Sequence, residues 1–427
     1  ITDEDGNTME YNVVTHTIEG DEDSPSIVTK SYINRYNELE KKGNVLPDRE
    51  AYETYTYNNF GTLTSKKSMR ANDENWIIPY TYKVDMDYAQ RKIKEYDADG
   101  NYISYTYNAL GQLVSAKDRE ANGNSASYST SYTYDHAGRM LRQVSPLESG
   151  ATIEKQYGYD KNSNLISEKT SNNAPGSAAS YSTIEYNYDN VNQLIRVCDA
   201  ENHYTQYYYD SIGNPLRVYT GLEVPLTIMG LDNVSGASGY AVSKYTYDRF
   251  GQLTQYTDPL GQSESYAYDY NGNTLQRTDR NGSVSNYTYD GLSRLKTVNV
   301  TGAADSAMES VNQSFDYALT GLRKSETSNG YTVSFKYDAL GNAIEENEPG
   351  IQKKYTYELN GSPRTFQVYV NNIKKVDTEY LYTTRDQVRM VFDRNGSNDL
   401  LAQAAQYEYN KNGANCFPER NRRGYRV

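Results

Sequence analysis

Carboxylate and aromatic side chains are the most abundant groups in this chain that could do chemistry. Its 427 residues include 56 Asp and Glu, 46 Tyr and three His. A pair of carboxylates can hydrolyse a glycosidic bond, and a histidine with a suitable partner can activate a nucleophile or bind zinc. His16, His136 and His203 are isolated in the sequence, and we interpret them as turn or surface residues. Neither a Gly-x-Ser-x-Gly motif nor a nucleotide-binding loop is present.

Two acidic segments could bind calcium. Asp3–Asn7 and Asp97–Asn101 resemble the opening of an EF-hand loop, which needs a bidentate Glu at its twelfth position. Those positions hold Val14 and Asn108 instead. We therefore interpret both segments as tight turns, and we expect neither a metal site nor a cofactor.

Tyrosine recurs in a fixed register with Asp and Gly. The pattern is Tyr-x-Tyr-Asp-x-x-Gly-x-Leu, and its 14 copies hold 26 of the 46 tyrosines. Tyrosine stripes could stack on sugar rings, but aromatic pairs across neighbouring strands also stabilise a sheet by roughly 0.2–1 kcal/mol each. We therefore favour packing. The residues that we single out as the structural repeat motif are Tyr132, Tyr134, Asp135, Gly138, Tyr245, Tyr247, Asp248, Gly251, Leu253, Tyr266, Tyr268, Asp269, Gly272, Tyr287, Tyr289, Asp290 and Leu295.

Each copy of this register predicts a β-hairpin. Two tyrosines at i and i+2 point to one face of a strand, and the Asp that follows can hydrogen-bond to its own backbone and open a turn. The Gly supplies the positive φ that the turn needs. Four copies hold another residue there: Ser163, Asn192, Ser293 and Asp386. Because successive units are often 20 or 21 residues long, we expect an all-β chain of tandem hairpins in one continuous antiparallel sheet.

The regularity of the register predicts three segments. Residues 1–50 hold irregular N-terminal repeats, residues 51–413 hold the main repeat array, and residues 414–427 form a basic tail that we expect to be disordered. Tyr80–Tyr82 looks like a degraded copy of the motif. Since the chain starts at Ile1 with neither an initiator Met nor a signal peptide, we expect an excerpt of a longer protein.

The overall composition limits which kinds of partner and environment the chain is expected to have. The net charge of −13 argues against a nucleic-acid groove. No run of about 18 apolar residues exists, so we expect no membrane span. Cys198 and Cys416 are far apart and do not form a disulfide framework.

The repeated register resembles that of the YD-repeat family, also called Rhs repeats. This family includes bacterial Rhs proteins, wall-associated protein A, the shell-forming components of insecticidal Tc toxins and animal teneurins. The resemblance covers roughly residues 30–413. It implies that the sheet spirals into part of a hollow shell. Fourteen units are too few to close such a shell, so the resemblance implies a wall segment with exposed edges.

The resemblance also implies a structural role and no enzymatic one. In bacterial members the shell encloses a C-terminal toxin, which is released by an acidic protease site in a core segment that ends in Asp-Pro-x-Gly-Leu. Asp258–Gly261 is followed by Gln262 instead of Leu and is interpreted as an ordinary turn, so no catalytic residue is carried over.

We therefore expect a shell segment of a secreted or cell-surface toxin protein. Its partner would be a toxin cargo domain of the same polypeptide, outside this chain. The alternative is a cell-surface adhesion or carbohydrate-binding module, whose loops near 171–183 and 221–243 would contact a glycan or a partner protein.

Overall fold

The structure is a computed structural model that describes residues 11–72, 78, 80–119, 129–147, 150–173, 180–230, 233–236, 239–303, 310–394 and 401–416. The predicted turn at Asp3–Asn7 and most of the predicted basic tail lie outside these residues. In the described ranges the regular structure consists of β-strands and one 3-10 turn at Arg70–Asn72.

The strands in chain order are β1 (Asn12–Ile18), β2 (Ile27–Ile33), β3 (Leu39–Val45), β4 (Glu50–Tyr57), β5 (Leu63–Lys67), β6 (Tyr82–Met86), β7 (Lys92–Tyr96), β8 (Tyr102–Tyr107), β9 (Leu113–Lys117), β10 (Ser129–Tyr134), β11 (Met140–Pro146), β12 (Thr152–Tyr159), β13 (Leu165–Asn173), β14 (Tyr181–Tyr188), β15 (Leu194–Cys198), β16 (Tyr204–Tyr209), β17 (Pro215–Leu222), β18 (Thr227–Gly230), β19 (Asn233–Ser235), β20 (Ala241–Tyr247), β21 (Leu253–Thr257), β22 (Ser263–Tyr268), β23 (Thr274–Thr278), β24 (Val284–Tyr289), β25 (Leu295–Thr301), β26 (Val311–Tyr317), β27 (Arg323–Ser328), β28 (Tyr331–Tyr337), β29 (Ala343–Glu348), β30 (Ile351–Tyr357), β31 (Pro363–Val370), β32 (Ile373–Tyr382), β33 (Val388–Arg394), β34 (Leu401–Gln406), β35 (Glu408–Tyr409) and β36 (Asn415–Cys416).

One sheet contains 32 of the strands in the described ranges. Each strand pairs antiparallel with the strands before and after it in the chain, as β20 does with β21 and β21 with β22. Two small hairpins of the described residues lie outside this sheet. The hairpin of β18 and β19 is inserted between the paired strands β17 and β20, and β35 pairs with β36. The prediction of tandem hairpins in one continuous antiparallel sheet is therefore confirmed.

Cα packing divides the chain into two compact units. Unit 1 contains Ile1–Gly111, Ala116–Ala126 and Phe315–Val427, and unit 2 contains Gln112–Ser115 and Ser127–Ser314. The three-segment division expected from the sequence follows the regularity of the repeats and stays a prediction.

The two faces of the repeat strands differ in exposure. In β24 the side chains of Tyr287 and Tyr289 are half-buried, whereas Thr288 between them is exposed. β22 shows the same alternation around Ala267. This alternation follows from the two-residue period of a strand. Each hairpin therefore has a tyrosine face and a polar face.

Successive turns alternate between the two ends of the strands. We call the end that carries the turns after Tyr-x-Tyr the YD rim; in unit 2 it includes the turns at 248–252 and 269–273. We call the other end the far rim; it includes the turns at 258–262 and 279–283.

Two YD-rim turns lack the sequence motif and were therefore not predicted. Asp87 N donates to Arg91 O at 3.0 Å, in a turn that follows Met86. The predicted degraded copy at Tyr80–Tyr82 instead leads into β6, and Thr81 N donates to Lys66 O at 2.8 Å. Asn34–Glu38 forms the second of these turns. Neither has an aromatic residue before it at the second Tyr position, which explains why the aromatic register missed both.

The lengthened segment near 221–243 is partly buried. Leu222 and Leu226 pack with Tyr219 in a small hydrophobic cluster. The Gln206 side chain holds the backbone of Leu226 at both polar atoms, since its Nε2 donates to Leu226 O at 3.1 Å and its Oε1 accepts from Leu226 N at 2.5 Å. This loop is therefore anchored to the sheet at its base.

Candidate functional site

The recurring chemical group of this chain is the turn that follows each tyrosine pair. At Asp269 the backbone N–H donates to Asn273 O at 2.9 Å, and Gly272 N donates to Asp269 O at 3.1 Å. Oδ1 of Asp269 accepts hydrogen bonds from Asn271 N and Asn273 N, both at 2.9 Å. Its Oδ2 accepts one from the Asn273 side chain at 2.9 Å. The carboxylate therefore satisfies backbone donors that the turn leaves unpaired.

The other predicted motif carboxylates occupy the same position. Asp135, Asp248 and Asp290 each accept hydrogen bonds from the backbone N–H groups two and four residues later. Arg139 and Arg294 also bind the second carboxylate oxygen of their turn. These hydrogen bonds favour the ionised form, and they hold the pKa of Asp135 and Asp290 below its usual range.

The fourth turn residue has a left-handed backbone. Gly138, Gly251 and Gly272 have φ of 85°, 78° and 85°. The four residues that replace Gly in other copies are also at positive φ, namely Ser163, Asn192, Ser293 and Asp386. The left-handed conformation is therefore required by the hairpin loop and not by glycine itself. In this loop a left-handed residue follows a type I turn, and the register of the two strands shifts at that point.

In most copies of the motif the second tyrosine joins its hairpin to the preceding one. The Tyr268 hydroxyl donates to Leu253 O at 2.8 Å, and the Tyr289 hydroxyl donates to Thr274 O at 2.9 Å. Each acceptor lies at the start of the return strand of the preceding YD-rim hairpin. The same bond is made by Tyr57, Tyr107, Tyr134, Tyr188, Tyr209, Tyr247, Tyr337, Tyr357, Tyr382 and Tyr409.

We call this series of bonds the tyrosine ladder. Sequence reasoning missed it, because the motif shows that a half-buried phenol needs a hydrogen-bond partner but does not show which one. The spacing of 15 residues between Leu253 and Tyr268 was the available signal. Burial raises the pKa of both Tyr268 and Tyr289, which keeps their hydroxyls protonated as donors.

The first tyrosine of each pair packs on neighbouring side chains. The Tyr266 hydroxyl donates to Glu264 at 2.7 Å, and the ring of Tyr245 lies 5.1 Å from that of Tyr256. Tyr287 lies opposite Val298 and Tyr132 opposite Gln143 in the adjacent strands. These positions stabilise the sheet through cross-strand contacts.

The isolated candidates for chemistry remain apart. His16 lies on a strand, and His136 and His203 lie in turns, all exposed. Asp97–Asn101 forms a tight turn with a 2.9 Å bond from Asp97 N to Asn101 O. In the part of the chain that the structure describes, His, Cys, Asp and Glu form no group that could hold a metal ion. Over the same residues no helix is long and apolar enough to cross a membrane.

The motif leucines complete the turn. Leu253 lies opposite Tyr247 and Leu295 opposite Tyr289, at the point where the register of the two strands shifts. Both side chains are half-buried beside the tyrosine face. Each repeat thus contains a carboxylate that accepts backbone hydrogen bonds within its turn and a phenol that donates a hydrogen bond to the preceding hairpin. Both groups already have hydrogen-bond partners.

One protein-family model and several solved structures are similar to this chain. Residues 233–402 match the family model described as Teneurin YD-shell, which confirms the predicted resemblance over those residues. The crystal structure of TcdB2-TccC3 is similar at 14% sequence identity and a TM-score of 0.50, over 91% of this chain and 24% of that chain. A mutant of the Photorhabdus luminescens Tc holotoxin pore is similar at 13% identity and a TM-score of 0.49, over 91% of this chain and 23% of that chain.

These solved structures are much longer than the present chain, which spans about a quarter of their length. At 14% identity the likeness to TcdB2-TccC3 concerns the fold. No curated protein matches the sequence.

Proposed function

We propose that this YD-repeat chain is a wall segment of a protein shell that encloses a toxin domain of the same polypeptide. The observation that carries the proposal is the unbroken run of hairpins, in which 32 described strands pair in chain order in one sheet. The match to a YD-shell family model over residues 233–402 supports the same role. The parent protein would be a secreted or surface-delivered bacterial toxin.

A wall needs strands that stay joined over its whole length. A single sheet provides this through backbone bonds between neighbouring strands, and the tyrosine ladder adds a side-chain bond between neighbouring hairpins. Within the sheet each repeat bonds to its two neighbours, so that repeats can be added without a new core. The proposed interior surface is the tyrosine face, whose half-buried rings present both apolar area and hydroxyl groups to a cargo.

The repeated carboxylates support a non-enzymatic role. In the turns at Asp135, Asp269 and Asp290 the carboxylate already accepts backbone hydrogen bonds and has a lowered pKa. A general acid needs the opposite shift, toward neutral pH. The structural role of these carboxylates therefore supports the proposed wall function.

The test is protection of a cargo by the wall. The full reading frame of the parent gene is expected to encode a further domain downstream of these repeats. In the purified full-length protein that domain should resist a protease that digests it rapidly when it is expressed alone. A parent protein without a downstream domain, or one whose downstream domain is digested equally fast in both forms, would contradict the proposal.

Cell-surface adhesion is the second candidate. A cavity of about 470 Å³ on the YD rim is bordered by the rings of Phe250 and Tyr270 together with Asp248 and Asn271, which is a combination that binds sugars in many proteins. The loops near 171–183 and 221–243, partly outside the described residues, remain the predicted contact surface. Binding of the chain to a glycan array, lost on Tyr270→Ser, would support adhesion; an array without signal would count against it.

A further inference from the structure

Within unit 1 the YD rim of late strands lies against the far rim of early strands. Leu319 N, in the YD-rim turn after β26, donates to Asp21 Oδ2 at 3.2 Å. The hydroxyls of Thr320 and Ser24 lie 2.7 Å apart. Lys324 forms an ion pair with Asp23 at 2.7 Å. The turn between β1 and β2 is thus bound by a turn about 300 residues later in the chain.

The contact continues along both rims in chain order. Arg385, in the YD-rim turn after β32, pairs with Asp99 at 2.8 Å and with Asp97 at 3.4 Å in the far-rim turn after β7. One turn further, Arg119 N donates to the Asn412 side chain at 2.9 Å. The hydrogen-bonded partners named here are 288 to 298 residues apart in the chain. Successive turns of the YD rim therefore contact successive turns of the far rim.

Contact with the far rim coincides with partial burial at two YD-rim tips, although Leu319, in the contacting turn after β26, stays 70% exposed. The side chains of Leu340 and Leu359, at the tips of two covered YD-rim turns, are half-buried. Leu359 borders a cavity together with Arg49, Tyr52 and Met69 of the early strands. Apolar residues at these tips are therefore part of what the far rim covers.

Within unit 2 five consecutive YD-rim turns each expose one large apolar side chain. The exposed fractions are 70% for Val191, 73% for Ile212, 67% for Phe250, 98% for Tyr270 and 75% for Leu292. Neighbouring YD turns are two strands apart, which is about 9.5 Å. Single exposed apolar residues are ordinary, but an unbroken row marks an interaction surface.

The far rim of unit 2 has the complementary chemistry. Its turns expose Asp199 and Glu201, and Leu260 at the tip of the far-rim turn between β21 and β22 is exposed as well. The YD rim exposes Arg249 beside Phe250. In unit 1 the equivalent pairing joins an arginine of the YD rim to aspartates of the far rim.

We propose that the YD rim of unit 2 is a docking surface for the far rim of a second copy of this chain. The argument is continuity: the same turns, with the same backbone geometry, already form this contact within unit 1. The interface is heterologous, because a YD rim binds a far rim, and copies can add one after another. The proposal does not depend on a cargo, so its failure leaves the proposed wall function untouched.

Sedimentation velocity of the whole chain tests the proposal. The mean mass of the wild-type chain should rise with concentration over about 1 to 100 µM, a range that covers weak to moderate protein association. Phe250→Asn with Tyr270→Lys should weaken association at least about tenfold, since exposed aromatic anchors dominate such contacts. Both new residues are ones that the chain itself carries at these turn positions, as Asn162 and Lys161, so the fold should be preserved.

A matched control and a mixing experiment complete the test. Ile166→Asn with Ile195→Lys changes two exposed apolar residues on strand faces instead of the rim, and association should be unchanged. Leu260→Asn alters the far rim and should also weaken association. Mixing the YD-rim variant with the far-rim variant should restore a heterodimer, because one copy retains each rim.

Three results would overturn the proposal. They are a wild-type chain that stays monomeric throughout the concentration range, a YD-rim variant that associates as strongly as the wild type, and a mixture that forms no heterodimer.

Discussion

Removing one hydroxyl of the tyrosine ladder should loosen two hairpins by a measurable amount. Tyr268→Phe deletes the donor to Leu253 O, a bond of 2.8 Å, and keeps the ring and its packing. A neutral hydrogen bond contributes about 0.5–1.5 kcal/mol net, and an acceptor left half-buried adds to the loss. We therefore expect the local free energy of opening to fall by about 1 kcal/mol, which raises the opening equilibrium about fivefold.

Native-state hydrogen exchange is the appropriate assay. In repeat proteins stability is approximately a sum over neighbouring repeats, so the loss should remain local. Amides of β21, β22 and β23 should exchange about fivefold faster in Tyr268→Phe, while those of β30 and β31 should not change.

Tyr270→Phe is the matched control. It makes the same chemical change two residues away, on a ring that is 98% exposed, and exchange should stay at the wild-type rate. Equal exchange rates in Tyr268→Phe and wild type, or an equal acceleration in both variants, would refute the ladder as a source of stability.

Further predictions concern the turns, the rims and pH. Gly272→Ala should destabilise the protein by about 1–2 kcal/mol in urea unfolding, since the residue has φ of +85°, whereas Gly291→Ala, with open space around it, should stay within about 0.5 kcal/mol of wild type. Asp269→Ala should lower the urea midpoint at pH 7; because hydrogen bonds lower the pKa of Asp269, this difference should fade as the pH falls below about 4. Arg385→Ala should cost unit 1 about 2 kcal/mol, because it removes bonds to two carboxylates; unchanged exchange in the turn after β7 would contradict this. Burial and Asp85 raise the pKa of Tyr96 to about 12, and many ladder tyrosines shift in the same direction. Circular dichroism should therefore show stability that does not change between about pH 7 and pH 10 and is lost as the pH rises further.

The sequence was sufficient to predict the hairpin, because every part of it is local. The i and i+2 tyrosines set the face of the strand, and the Asp and the left-handed residue set the turn within five positions. The substitutes for Gly, such as Ser163 and Asn192, could be assigned for the same reason. Copies that lack the aromatic pair, such as the turn at Asp87, were missed since the backbone hydrogen bonds of a turn do not require tyrosine.

Contacts between distant parts of the chain could not be predicted. The acceptor of Tyr268 is a backbone carbonyl of the neighbouring strand β21, and any residue type can supply one. The pairing of Arg385 with Asp97 joins turns 288 residues apart. It depends on small twists accumulated over many strands, which no single repeat encodes.

A density map of the full-length parent protein by electron cryo-microscopy tests the wall function most directly. The account predicts that the tyrosine face of β20–β25 borders an enclosed space that contains density for the downstream domain. A map in which a second layer of the protein's own sheet or helices packs directly on this face, leaving no enclosed space, would contradict it.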